Sequence, residues 1–253
     1  MARPCPWLSG RGIIPRLRGK RLGKSRQQVA GNLAQVRERI AQAAARRGVE
    51  PGAVRLVAVT KGVPAERIEE AIAAGVQDCG ENYLQEALPK IARLGRRARW
   101  HFIGHLQTNK VKAALPHFDL IQAVDSEHLA QEIARRAAAL GRQVPVLLEV
   151  NTSGEAGKFG VAPEQVGHLL ARCVGLGLPV QGLMTIGRLG AEEAGTRQCF
   201  RALAQLFAQY REAVPGGLQW LSMGMSGDFE LAIEEGANMI RVGTAIFGPR
   251  PLG

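Results

Sequence analysis

A lysine at the end of a short apolar segment is the residue of this sequence best suited to chemistry. Lys61 follows residues 55–60, whose middle is apolar without helical spacing, and Gly62 and Pro64 come directly after it. The segment predicts a buried β-strand that ends at a turn. A lysine amine at the edge of a core is partly desolvated, which lowers its pKa and makes it a nucleophile towards carbonyl compounds. The alternative is a strand-end lysine that reaches into solvent, as most charged side chains do.

Alternating strand-like and helix-like segments form the frame around Lys61. After an opening helix that starts at residue 27, strands are predicted at residues 55–60, 76–79, 99–103, 120–124, 145–150, 180–185, 219–222 and 239–242, each followed by a helical segment. Eight such units in ~200 residues favour a closed (β/α)₈ TIM barrel over an open sheet. A dinucleotide fold would have GxGxxG after its first strand, which this chain lacks. We therefore expect one α/β domain over residues 27–253, with an extra N-terminal helix.

The segments after the last two strands could bind an anion. Active sites of barrels form where the strands end, and residues 222–227, which include Ser222 and Ser226, form a small, flexible and hydroxyl-bearing segment there. Gly243 and Thr244 follow the eighth strand and offer backbone N–H groups and a hydroxyl. Phosphate binds well to such loops. The alternative is that these residues only make turns, with Asp228 as an N-cap.

A strand-end lysine and a phosphate site on one barrel face suggest a phosphorylated carbonyl compound held as an imine. Two classes of protein fit this pattern. One binds the cofactor pyridoxal 5′-phosphate (PLP) as an aldimine. The other is a Schiff-base aldolase that acts on a sugar phosphate. The position of the lysine by itself does not choose between them.

Six motifs of the sequence carry a family resemblance. They are Val59-Thr-Lys61, Gly80-Glu-Asn-Tyr-Leu-Gln-Glu86, Trp100-His-Phe-Ile-Gly-His-Leu-Gln-Thr-Asn-Lys110, Gly182-Leu-Met184, Leu221-Ser-Met-Gly-Met-Ser226 and Ile240-Arg-Val-Gly-Thr-Ala-Ile-Phe-Gly248. Together they resemble the YggS-type PLP homeostasis proteins, whose barrel is similar to the N-terminal domain of alanine racemases. The resemblance runs from about residue 32 to residue 248 and is specific only as a combination. It does not cover the first 26 residues.

The resemblance implies a role for each residue of the candidate site. Lys61 would be the lysine that carries PLP as an aldimine, and Arg241 would lie beside the pyridine nitrogen. The residues that would surround the phosphate are Ser222, Ser226, Gly243 and Thr244. Asn82 and His101 would line the pocket. No metal ligands are implied.

Arg241 favours a protein that carries PLP over an enzyme that uses PLP in catalysis. Arginine donates hydrogen bonds and does not deprotonate in proteins, so a pyridine nitrogen facing it stays unprotonated and the ring is a weaker electron sink. The alternative is a buried Arg241 paired with Glu81 or Glu149. A racemase of this kind also needs a tyrosine from a second domain as its other base, and we expect no such domain here. The expected function is therefore PLP homeostasis by a non-catalytic carrier; a PLP-dependent amino-acid racemase is the alternative, followed by the aldolase.

Composition narrows the partners and the compartment. The formal charge of +11 comes largely from eight basic residues among the first 26; without them 25 basic residues face 22 acidic ones, so nucleic-acid binding has little support. No apolar run approaches the ~18 residues of a membrane span. Four cysteines without CxxC favour a reducing compartment. We expect a cytoplasmic monomer that binds PLP, with apo PLP-dependent enzymes as recipients.

The basic segment of residues 1–26 has three interpretations. It is arginine-rich and acid-free like a transit peptide, although it is poor in serine. Its Gly and Pro content favours a disordered tail. The segment could also result from a translation start assigned upstream of the true one. We favour the last two interpretations.

Overall fold

Eight parallel strands close into a barrel in the computed structural model, which describes residues 18–155, 157–187 and 190–249. The strands are β1 Arg55–Val59, β2 Asp78–Glu81, β3 Arg99–Phe102, β4 Leu120–Val124, β5 Val146–Glu149, β6 Val180–Met184, β7 Trp220–Ser222 and β8 Met239–Val242. Each pairs with its neighbour in sequence, and β8 pairs with β1, so that the sheet has no free edge. The expected (β/α)₈ barrel is confirmed.

Helices surround the barrel. They are α1 Arg18–Arg47, α2 Ala65–Ala73, α3 Leu84–Leu94, α4 Val111–Ala114, α5 Glu127–Ala139, α6 Val166–Gly175, α7 Glu193–Tyr210, α8 Phe229–Glu234 and α9 Thr244–Phe247. The predicted N-cap of α5 is confirmed, since Ser126 Oγ accepts a hydrogen bond from the Leu129 backbone N–H. No helix of the described segments is long and apolar enough to cross a membrane.

The first helix begins earlier than the sequence predicted. A start at residue 27 was expected, with a disordered segment before it, but α1 begins at Arg18. The charged and amide residues between positions 18 and 28 are good helix formers, and the nearest proline before them is Pro15. Residues 1–17 lie outside the described part of the chain. The expected apolar face is confirmed, because Val29 and Leu33 are buried.

The second strand lies two residues further along than predicted. The structure has β2 at Asp78–Glu81 rather than at residues 76–79. Gly75 (φ 92°) ends the turn after α2, and Val76 packs into the outer core before the chain enters the sheet. The shift matters because successive residues of a strand point to opposite faces. Glu81 therefore points outward to α3, where Lys90 binds it, and Asp78 points into the barrel, where it contacts His101.

Two neighbouring strands of the barrel approach each other closely at Gly182. This residue lies in β6 opposite Trp220 of β7. A Cβ atom at Gly182 would overlap the Trp220 carbonyl oxygen and lie 3.0 Å from its Cα. The pairing of β6 with β7 therefore depends on the missing side chain at this position.

We expect Gly182→Ala to destabilise the fold. Overpacking against backbone that cannot move without disturbing a strand pair costs about 1–3 kcal/mol or more. Urea denaturation measures the free energy of unfolding. The matched control is Gly31→Ala, because Gly31 lies within α1 with no atom close to its missing Cβ; it should stabilise the protein by about 0.5–1 kcal/mol. Equal stabilities of the two variants would contradict the close approach.

Candidate functional site

The strand ends bring most of the predicted site residues to one face of the barrel. Lys61 follows β1, and Asn82 follows β2. Arg241 lies in β8, and Gly243 and Thr244 come directly after that strand. In parallel barrels this carboxyl-terminal face is where loops and strand ends build the site.

Arg241 is the charged centre of this face. It is 4% exposed. Its Nη1 donates to Ser222 Oγ at 2.6 Å, and its Nη2 donates to the Thr185 carbonyl oxygen at 2.7 Å. Burial lowers the pKa of Arg241 to about 10, against the opposing effect of the Glu149 and Asp228 carboxylates. The guanidinium is therefore still charged at neutral pH, and it keeps further N–H donors for a ligand.

A chain of hydrogen bonds runs from Arg241 across the interior of the barrel. The successive links are Ser222 Oγ to Gln122 Oε1 at 2.7 Å, Gln122 Nε2 to His101 Nδ1 at 2.8 Å, His101 Nε2 to Asp78 Oδ1 at 3.0 Å, and Asp78 to Arg99 at 2.7 and 2.8 Å. Arg99 lies at the beginning of β3. The chain therefore connects the two ends of the barrel.

The two ends of this chain, the donor Arg241 and the acceptor Asp78, decide the direction of each hydrogen bond between them. Burial by itself raises the pKa of Asp78, but hydrogen bonds from Arg99 and His101 outweigh burial and lower it, so Asp78 is an ionised acceptor. His101 Nε2 then carries the proton, and Nδ1 accepts from Gln122. Ser222 donates to Gln122 and accepts from Arg241. All donors along the chain point from Arg241 to Asp78, which aligns their dipoles.

His101 and Ser222 belong to the same buried chain as Arg241. Both are buried, and their polar atoms are engaged in this chain. They position Arg241 from below, whereas direct contact of either residue with a ligand stays a prediction. Gln122 and Asp78 were missed by sequence reasoning. A polar residue within the apolar strand Leu120–Val124 was the available signal for Gln122.

The loops after β7 and β8 are joined through Ser226. Its Oγ accepts from the backbone N–H groups of Gly243 at 3.1 Å and Ala245 at 3.2 Å, which leaves the hydroxyl hydrogen free to donate. In the described part of the chain, the backbone N–H groups of Ser226, Gly227 and Thr244 have no acceptor. The two predicted anion loops therefore follow adjacent strands and contain backbone N–H donors without acceptors, which a phosphate could use.

A second network holds the backbone on both sides of Lys61. Lys90 Nζ from α3 donates to the Thr60 carbonyl oxygen at 2.7 Å and to Glu81 Oε1 at 2.8 Å. Thr60 Oγ1 donates to the same Glu81 oxygen at 2.6 Å. On the other side, the Gly62 backbone N–H donates to Glu86, which also binds Lys90. The turn that presents Lys61 is thus fixed from behind by α3, a role that sequence reasoning did not assign to Lys90.

Comparison with known proteins defines first the class of barrel. The family described as the alanine racemase N-terminal domain matches residues 31–251 of this chain. An alanine racemase from Corynebacterium glutamicum has a similar fold, with a TM-score of 0.67 at 18% identity over 90% of this chain and 62% of the racemase. At this identity the likeness shows the fold alone. The class is therefore the alanine racemase type of (β/α)₈ barrel.

Closer relatives then define the family. A pyridoxal phosphate homeostasis protein of Pseudomonas aeruginosa is 44% identical over 227 residues, which is 89% of this chain and 97% of the relative. The structure of PipY from Synechococcus elongatus with PLP bound has a TM-score of 0.74 at 38% identity, over 87% of this chain and all of PipY. This chain belongs to the family of pyridoxal phosphate homeostasis proteins. The resemblance inferred from the sequence motifs is confirmed.

We expect Lys90→Met to destabilise the protein in a pH-dependent manner. Glu81 is fully buried, and burial raises its pKa while Lys90 and Thr60 lower it. Removing the lysine leaves a buried charge without its cation, which costs about 3–5 kcal/mol. Protonation of Glu81 relieves this cost, so the loss should be smaller at pH 5.5 than at pH 8 in urea denaturation.

Lys112→Met is the matched control for this prediction. Lys112 is exposed on α4, and replacing it should change the free energy of unfolding by less than about 0.5 kcal/mol. Equal effects of the two substitutions on the free energy of unfolding would contradict the described network around Lys61. So would a loss of stability in Lys90→Met that does not depend on pH.

Proposed function

We propose that this protein binds PLP, holds it covalently on Lys61 and serves PLP homeostasis as a carrier without turnover of its own. The observation that carries the proposal is the geometry around Arg241. A buried, charged guanidinium that keeps further donors lies in β8, and the loops after β7 and β8 contain backbone N–H groups without acceptors in the described chain. A ring with an acceptor nitrogen at one end and a phosphate nearby satisfies both sets of donors. Membership of the family supports the same ligand.

The residues of the site divide the work of holding such a ligand. When bound, PLP supplies an aldehyde that reacts reversibly with amines and a ring that can delocalise electrons. Arg241 would donate to the ring nitrogen, while Ser226, Gly243 and Thr244 would enclose the phosphate. Lys61, held by the Lys90 network, would present its amine to the aldehyde. Asn82, whose Oδ1 is buried without a hydrogen-bond partner in the described chain, would line the pocket.

The finer parts of the proposal concern partners and compartment. Apo PLP-dependent enzymes are the recipients that a cofactor carrier would serve, and we propose a monomer that works in the cytoplasm. The thiols of Cys79, Cys173 and Cys199 are buried and free, which suits a reducing compartment. Sedimentation of the purified protein with and without PLP tests the monomer; a dimer in both states would contradict it.

We expect the purified protein mixed with PLP to show the visible absorbance of an imine. Borohydride reduction followed by peptide mass spectrometry should place one pyridoxyl phosphate on Lys61, because this lysine follows β1, which pairs with the strand that carries Arg241. Lys61→Ala should lose both signals, whereas Lys112→Ala, which changes an exposed lysine, should keep them. Wild-type protein without an absorbance band or a trapped adduct would refute the proposal. An adduct with the mass of a sugar phosphate would support the aldolase instead.

We expect no exchange of the α-hydrogen of amino acids by the PLP-loaded protein. Arg241 is charged at neutral pH and can only donate, so a ring nitrogen held against it would stay unprotonated and the ring would withdraw electrons weakly. Single enantiomers of common amino acids are incubated with the loaded protein in D₂O, and α-deuterium is measured by NMR. Incorporation into any of them would favour the racemase alternative.

A further inference from the structure

A cavity of about 430 Å³ opens on the same barrel face as Lys61. Of the residues that would hold PLP, only Asn82 lines it. Its walls come from the segments after β2, β3, β5 and β6. The residues that matter to its chemistry are Asn82, Tyr83, His105, Lys110, Glu149 and Phe159. Since β5 lies four strands from β1 in a closed eight-stranded barrel, Glu149 faces Lys61 across the mouth.

One hydrogen-bond acceptor in the wall of this cavity lacks a donor. Glu149 is 4% exposed, and its carboxylate accepts no hydrogen bond from any group in the described chain. A buried carboxylate without a donor is costly, so a ligand that brings donors and positive charge would bind here favourably.

The charges around Glu149 leave it ready to ionise near neutral pH. Burial and the Asp125 carboxylate raise the pKa of Glu149 against the opposing effect of Arg241, and together they bring it to about 7. Asp125 is itself paired with His105 Nδ1 at 3.2 Å. The other cationic groups on this face are Lys110 in the cavity wall, Lys158 paired with Glu155, and Lys61.

Apolar side chains surround the mouth of the cavity. The ring of Phe159 stacks on that of His105, with centroids 3.9 Å apart and planes 14° from parallel. Tyr83 is 63% exposed, Phe159 55% and Ile186 37%, and all three line the cavity. An alkyl or peptide-like stem passing between them would remove apolar surface from water while its polar end reaches Glu149.

We propose that this cavity binds a primary ammonium group, with the Glu149 carboxylate as its acceptor. An ammonium has three N–H donors and a compact positive charge, which matches a carboxylate that accepts no hydrogen bond from the described chain. Binding of the ammonium does not depend on PLP, but its biological role rests on the proposed function. An amine bound here lies where a recipient of the cofactor would approach Lys61. The same chemistry could come from a free amino acid or from a lysine side chain of a recipient protein.

Calorimetric titration of the full-length Lys61→Ala protein with n-butylammonium tests the site without any covalent reaction. We expect binding at pH 8 that is about tenfold weaker at pH 6, because a carboxyl of pKa about 7 is about nine-tenths ionised at the first pH and about one-tenth at the second. Butanol, which has the same stem without the charge, should not bind. No binding of n-butylammonium at pH 8 would overturn the proposal.

Variants separate Glu149 from its surroundings. Glu149→Gln keeps the shape of the side chain and should weaken butylammonium binding about tenfold or more at pH 8, with little remaining dependence on pH. Glu164→Gln removes an exposed carboxylate from the segment after the same strand and should change neither the affinity nor its pH dependence. Equal affinities of Glu149→Gln and its parent would also overturn the proposal. Because PLP is absent from these titrations, their outcome is independent of whether Lys61 carries the cofactor.

Two further ligands distinguish the sources of the ammonium. Norleucine offers an α-ammonium, and Nα-acetyl-lysine N-methylamide offers only a side-chain ammonium like that of a lysine in a protein. Binding of norleucine would support a free amino acid as the natural ligand, and binding of the lysine derivative would support a recipient's lysine. If neither binds with the pH dependence expected of Glu149, the assignment of this cavity to an ammonium is wrong. The same titrations of PLP-loaded wild-type protein, followed by absorbance, report whether the bound amine reaches the cofactor.

Discussion

The burial of Arg241 is the constraint on which the rest of the site depends. A guanidinium that is 4% exposed needs acceptors, and the barrel supplies Ser222 and the Thr185 carbonyl oxygen instead of a carboxylate. This choice leaves the charge available to a ligand above it. The cost of burying it is offset by a chain of aligned hydrogen bonds that ends on ionised Asp78. A middle layer of the barrel that could have been filled with apolar side chains is polar for this reason.

The wall behind Lys61 is built on a different principle. There the polar residues lie outside the barrel, between the sheet and α3, where Lys90 binds Thr60, Glu81 and Glu86. The network touches the backbone before and after Lys61 and so fixes the turn that presents the amine. On the opposite side, the Glu149 carboxylate accepts no hydrogen bond from the described residues, and Glu149 lines the cavity. One side of the mouth is therefore organised to hold a ligand, and the other has room to admit one.

Sequence patterns predicted the structure correctly where the spacing of the apolar segments and the residue types at their ends agree. Apolar strands at regular spacing predicted the barrel, and residues at the strand ends predicted Lys61, Arg241 and the loops around Ser226, which the structure brings to one face. Strand β4 and strand β8 have the predicted bounds because their apolar runs end at charged or glycine residues. The errors fall where the pattern is ambiguous. Val76 belongs to the outer core although it precedes β2, and the helix formers before residue 27 extend α1 to Arg18.

The sequence by itself determined the fold, the family and the residue types at the mouth of the barrel, because hydrophobic period and turn chemistry are local properties. Only the tertiary structure decided which of those residues meet. His101 and Gln122 come from neighbouring strands, and Ser222 joins them from the other side of the barrel. The direction in which a strand residue points depends on register, and a shift by one residue reverses it. That is why the sequence could name Glu81 and Glu149 as acids but not show that one binds Lys90 and the other faces an open cavity.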